Sequence, residues 1–193
     1  LEYSLLAAHR HVFGVFFWFV ALSAMGLGPA GAVLYRMAEF GSRYWSYKSQ
    51  VTGAATHDRL MNLSLKLFTW LDHVPSRMTA FGFAVVGNFE DAVDAWRRHA
   101  VLWVRPNEGT ILSAASGALG VRLGGQAAPS ADGRDVSRTL SQGDGSDVID
   151  AEGSTTGAPP EMAHLRSVVG LIWRSVVLWM LLLALLSLAN LVG

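Results

Sequence analysis

Apolar residues lie along this chain in an uncharged block near each end, with shorter helically spaced runs between them. From Val12 to Leu34 ("VFGVFFWFVALSAMGLGPAGAVL") there is no charge, and the stretch is long enough to cross ~30 Å of hydrocarbon. Gly26, Gly28, Pro29 and Gly31 interrupt its second half and predict a kink or break there. A second uncharged block, Ser175 to Val192, closes the sequence. Two such blocks in one short chain point to an integral membrane protein, so the lipid bilayer is its first expected partner.

Between the blocks, Tyr35 to Tyr47 is rich in aromatic rings with Arg36 and Arg43 among them and Lys48 beside them, a composition that membrane interfaces favour. The spacing predicts a helix over His57–Leu71, ended by Pro75, with Ser76 capping the next. Met78–Val86 is apolar but too short to span alone. Phe89–Val104 is amphipathic, with Phe89, Val93, Trp96, Ala100 and Trp103 as its apolar stripe. Thr110–Leu123 is built of small residues, and Ser113, Ser116, Gly117 and Gly120 allow close helix approach. Residues 126–158 contain almost no large apolar side chain and read as a disordered linker. Pro159 and Pro160 then open a last helix that runs through Arg166 and Arg174 into the terminal block. The expected fold class is therefore all-α: a polytopic membrane protein with cytoplasmic amphipathic helices and a disordered loop. Residues 1–125 form its first region, 126–158 the linker, and 159–193 the C-terminal helix and span.

Composition narrows the chemistry. Apolar residues make up 51% and charged residues 16%, against about a quarter charged in soluble domains. The net charge is zero and no basic tract is present, which sets nucleic acid aside as a partner. The absence of cysteine removes disulfides, thiolate catalysis and sulfur metal sites. All but Arg10 of the 15 Lys and Arg lie between the two blocks, so the central region is expected to be mainly cytoplasmic, with the C-terminus on the far side of the membrane. The chain begins at Leu1 with no visible signal peptide, and is expected to be a piece of a longer protein.

Candidate site residues each carry two readings. Asp72 and Arg77 flank Pro75, where they can hold a phosphate or carboxamide, or cap helices and pair with each other; the second reading is favoured. Glu90, Asp91 and Asp94 suggest an acidic cluster, but Asp91 and Asp94 share a side with Arg98 and read as a solvated face. Asn107, Glu108 and Gly109 follow Pro106 in an expected turn before the small-residue helix, whose first amides could receive an anion. The run "GALGVRLGG" (Gly117–Gly125) lacks the Lys-Ser/Thr of a phosphate-binding loop and reads as helix packing. The six histidines form no HxxxH pair, and no metal site is expected.

Several motifs together resemble one family. "FWFV" and "GPAGAVLYR" (between Phe17 and Arg36), "WLDHVPSRMTAFGFAVVGNFEDAVDAWR" (Trp70–Arg97), "PNEG" (Pro106–Gly109), "GALGVRLGG" and "PPEMAHLRSVVGLIWRS" (Pro159–Ser175) are similar, in order, to the CobD/CbiB membrane proteins of cobalamin biosynthesis. The resemblance implies a polytopic inner-membrane protein and an ATP-dependent reaction, assisted by Mg, that joins an aminopropanol unit to adenosylcobyric acid. It also implies a corrinoid substrate or other cobalamin-pathway proteins as partners, with Arg36, Asp72, Arg77, Asn107 and Arg122 as the polar residues left to bind substrate.

Three departures accompany it. The enzymes carry Glu-Asn-x-x-Asp-Gly where this chain has "LAAHRH" (Leu6–His11). They carry Asn and Asp after the Tyr-Arg pair, where this chain has "MAEFGS" (Met37–Ser42), and Gly-Trp-Pro-Glu where it has "GTIL" (Gly109–Leu112). Amide ligation needs groups that position phosphate, metal and nucleophile, and those residue types are missing. The pattern is also similar to the related AmpE-like regulators of β-lactamase induction, which implies a non-catalytic sensor as the alternative.

Overall fold

The computed structural model describes residues 1–52, 55–124 and 155–192, and among these it is all helical, with one isolated bridge between Val121 and Ala158. The first rod, α1, covers Glu2–Ala24 and includes a π-helical turn at His9–Phe13. Five more helices follow: α2 (Ala30–Thr52), α3 (Ala55–Val86), α4 (Phe89–His99), α5 (Pro106–Leu119) and α6 (His164–Val192).

The first uncharged block is not one span. Gly26 and Gly28 adopt φ values of 82° and 55°, which L side chains resist, and the chain reverses at Met25–Pro29. Helix α2 then returns along α1 so closely that a Cβ on Gly31 would sit 1.9 Å from the Trp18 carbonyl oxygen. The stretch long and apolar enough to cross a membrane therefore runs earlier, over Glu2–Ala24, and its counterpart is His164–Leu188 in α6.

Pro75 does not end a helix. It lies inside α3, which runs unbroken to Val86, so Ser76 caps nothing and instead donates to the His73 carbonyl. A mid-helix proline orphans the carbonyl four residues earlier. That carbonyl, of Leu71, accepts a 3.1 Å hydrogen bond from the Trp18 indole, and the helix tolerates the gap.

Other boundaries move for local reasons. Pro106 occupies the first position of α5, so Asn107–Gly109 form a helical turn rather than a connecting one. Gly120 ends α5 in the left-handed conformation at φ 66°. Thr155–Ala158, expected in the linker, pair with Gly120–Leu123 through backbone bonds, and the Thr155 hydroxyl meets Ser116. The rest of the expected linker, residues 126–154, lies outside the described residues. Helix α6 starts at His164, not at Pro159 and Pro160. The buried face of α4 is Ala92 and Ala95, while Phe89 is exposed. The small alanines win that face because Gly117 of α5 brings the backbones together, where a Cβ would be 2.2 Å from the Asp91 carbonyl oxygen.

Helix α5 is the hub, packed by α4, α3 and α1. Its Ile111 and Leu112 join Leu5, Phe13, Phe83 and Leu171 in the core, where the rings of Phe13 and Phe83 meet edge to face.

Candidate functional site

One buried carboxylate organises the polar interior. Asp72 lies on the inner face of α3 and is 5% exposed. His9, 1% exposed and at the start of the π-helical turn of α1, donates from Nε2 to Asp72 Oδ1 at 2.8 Å. Its Nδ1 meets the Thr79 hydroxyl, also at 2.8 Å. Two turns of α3, at Asp72 and Thr79, thus grip one imidazole.

Tyr35 of α2 donates its hydroxyl to the same Asp72 oxygen at 2.7 Å. The ring reaches that position because residue 14 is glycine, and a Cβ there would lie 2.4 Å from the phenol. On the other side Asn107, in the first turn of α5, donates from Nδ2 to the Thr69 carbonyl at 2.9 Å and to Asp72 Oδ2 at 3.3 Å. Four helices therefore meet at one aspartate.

A second cluster lies across α1. Glu39, 1% exposed, takes Arg36 at 2.6 Å on one oxygen and Arg43 at 2.9 Å on the other. Arg36 also donates to His11 Nδ1 at 2.8 Å. Next to them Glu108 accepts Arg10 at 2.7 Å and Arg105 at 3.0 Å. The cleft between α1 and α2, lined by Tyr3, Arg10, His11, Glu39 and Arg43 among others, holds about 20 Å³, the room of a single water.

The five residues read from the sequence do not converge. Asp72 and Asn107 meet; Arg36 belongs to the Glu39 cluster; Arg122 is exposed on the segment after α5. Arg77 does not pair with Asp72 but donates to the ring and carbonyl of His73, one turn earlier on the outer face of α3. The reason is geometric: in a continuous helix, residues five apart point to different sides, and residues four apart are neighbours. His9, Tyr35, Thr79 and Glu39 were not read as substrate-binding residues, and Glu108 only as part of an expected turn, although a histidine and a glutamate inside otherwise apolar helices were the available signals.

A nucleotide with Mg would need carboxylate or phosphate-binding groups that are not already engaged. Asp72 accepts from His9, Tyr35 and Asn107, Glu39 and Glu108 are each ion-paired with two arginines, and the described residues contain no group of three His, Asp or Glu that could hold a metal. The described residues do not fit that group.

Known proteins supply the remaining finding. The family model described as "CobD/Cbib protein" matches residues 8–151. The chain is 30% identical over 173 residues to the "Cobalamin biosynthesis protein CobD" of Stutzerimonas stutzeri, covering 89% of this chain and 48% of that protein. It is 36% identical over 121 residues to the protein of the same name from Chromobacterium violaceum, covering 60% of this chain and 34% of that protein. The chain thus spans at most about half the length of these relatives. No solved structure matches it. With a match from Ala8 across the whole Asp72 network, the chain belongs to the CobD/CbiB family.

Proposed function

We propose that the protein carrying this chain works in cobalamin biosynthesis at a bacterial inner membrane, spanning it through Glu2–Ala24 and His164–Leu188. The observation that carries this reading is the match over residues 8–151, joined to relatives named for that biosynthesis. The finer part of the proposal is the reaction, amide attachment of an aminopropanol unit to adenosylcobyric acid, assigned to the whole protein. Within it, the half represented here serves as scaffold: Asp72 fixes α1, α2, α3 and α5 to one another, and its burial suits a positioning residue.

The test is complementation. The full-length gene, expressed in a strain lacking cobinamide synthase, is expected to restore growth on cobyric acid. Protein present in the membrane without growth on cobyric acid, in cells that still grow on cobinamide, would remove the amide-forming reaction. A second, non-catalytic reading of the AmpE-like kind would then take its place, favoured by the engaged state of every buried carboxylate around α1. Reporter fusions test topology separately, after Gly125 on the cytoplasmic side and after Gly193 across the membrane.

A further inference from the structure

Helices α1 and α6 run in the same direction. At their near ends the Gly124 amide donates to the Glu2 carboxylate at 2.6 Å, and Thr155–Ala158, which lead towards α6, pair with Gly120–Leu123. Leu5 and Leu6 of α1 share a cluster with Val168 and Leu171 of α6, and further along the rings of Phe16 and Trp179 meet at 6.4 Å. Two parallel helices that cross a bilayer carry the chain the same way twice. The stretch between them must bring it back.

Helix α2 has the position and the length for that return. It runs antiparallel along α1: Gly31 lies on Trp18, Tyr35 on Gly14 and Arg36 on His11, and Arg43 lines one cleft with Tyr3. At about 1.5 Å per residue, Ala30 to Tyr47 rises roughly 27 Å, close to the ~30 Å of a bilayer's hydrocarbon. Every exposed residue in that stretch is Ala, Val, Leu, Met, Phe or Tyr. Its charges turn the other way, because Arg36 and Arg43 both close on Glu39, which is 1% exposed. An apolar outside and a paired, charged inside suit hydrocarbon, where ionisable groups face the interior of a bundle. Beyond the level of Tyr3, Lys48 lies over the rings of Tyr44 and Trp45 at 5.6 and 5.5 Å, side chains that a headgroup layer favours. The Met25–Pro29 turn at the opposite end carries no charge.

We infer that α2 is a third crossing helix, antiparallel to α1 and α6, with Val33, Met37 and Phe40 against lipid acyl chains. The start of α1, the end of α2, Gly124 and the start of α6 then share one face of the membrane, and the Met25–Pro29 turn lies at the other. Helices α3, α4 and α5 add no net crossing. This placement rests on the membrane reading above, and the test separates the two.

The chain contains no cysteine, so Leu27→Cys, Met37→Cys and Val51→Cys can each be made in a cysteine-free background of the full-length protein. Each is exposed to a membrane-impermeant maleimide in sealed right-side-out and inside-out vesicles. The Leu27→Cys protein is expected to react from one face only and the Val51→Cys protein from the opposite face only. The Met37→Cys protein should react from neither; labelled in detergent with a fluorophore and returned to vesicles, it should be quenched by nitroxide lipids. Reaction at 27 and 51 from the same face overturns the inference, because α2 then does not cross. Maleimide reaction at 37 in sealed vesicles also overturns it, because water then reaches the face. So does shielding of 37 from both the maleimide and the nitroxide lipids, because protein then covers it. Release of the unaltered protein from membranes by alkaline carbonate overturns the membrane reading itself.

Discussion

Helices α4 and α5 and helices α2 and α3 are both antiparallel pairs, yet they are built in opposite senses. The α4–α5 pair is held by close approach of small residues: Ala92 and Ala95 face Gly117, and the backbones nearly touch. The α2–α3 pair buries Tyr35, Glu39 and Asp72 and leaves Met37, Phe40, Leu67 and Trp70 outside. One pair is glued by packing, the other by the buried Tyr35–Asp72 hydrogen bond, in a setting poor in water where such a bond is strong and its loss is severe. The difference teaches where each pair is fragile: small residues matter in the first, buried polar ones in the second.

The largest test of that contrast is Asp72→Ala. It strands donors on His9, Tyr35 and Asn107 at once, and removing one partner of a buried charged network costs ~3–5 kcal/mol. Little folded protein should remain in membranes, and the thermal midpoint in mild detergent should drop steeply. A midpoint close to that of the unaltered protein would mean the polar interior does not hold this pair.

Gly117→Val probes the other pair, since the first added carbon already meets backbone; overpacking of this kind costs ~1–3 kcal/mol or more. The expected readout is proteolytic release between α4 and α5. Trp18→Phe removes the indole donor to the Leu71 carbonyl and should cost ~1–3 kcal/mol. In a Pro75→Ala background, where the backbone can supply its own amide, the same change should cost clearly less; equal costs would mean the indole bond is incidental.

The smallest effect is that of Leu67→Ser, which should alter stability in detergent by no more than about 0.5 kcal/mol, because that side chain touches no core.

The helices themselves were legible, because their periodic apolar residues and glycine or proline boundaries act locally. The family was legible too, from motifs such as "WLDHVPSRM" and "PNEG" taken in order. Pro75 was misread because its usual effect is decided by whether another group serves the freed carbonyl, and Trp18 lies too far away in sequence to announce itself. That single error carried over to Asp72 and Arg77, which face each other only if the helix breaks between them. Tyr35 and His9 were invisible as partners for the same reason: nothing near them in sequence tells which carboxylate they will meet. The outward stripe on α3 is periodic in the sequence, but periodicity says which residues share a face and not which face is inside.

The indole that serves Leu71 also ties the interior to the order in which the chain is made. Without α1, the Leu71 carbonyl inside α3 has no indole to serve it and Asp72 has no His9 beside it. Since α1 precedes α3 in the chain, the growing polypeptide already holds both Trp18 and His9 when Pro75 emerges. A rearranged gene that delivered the α3 segment first would expose the Leu71 carbonyl and Asp72 before Trp18 and His9 had been made.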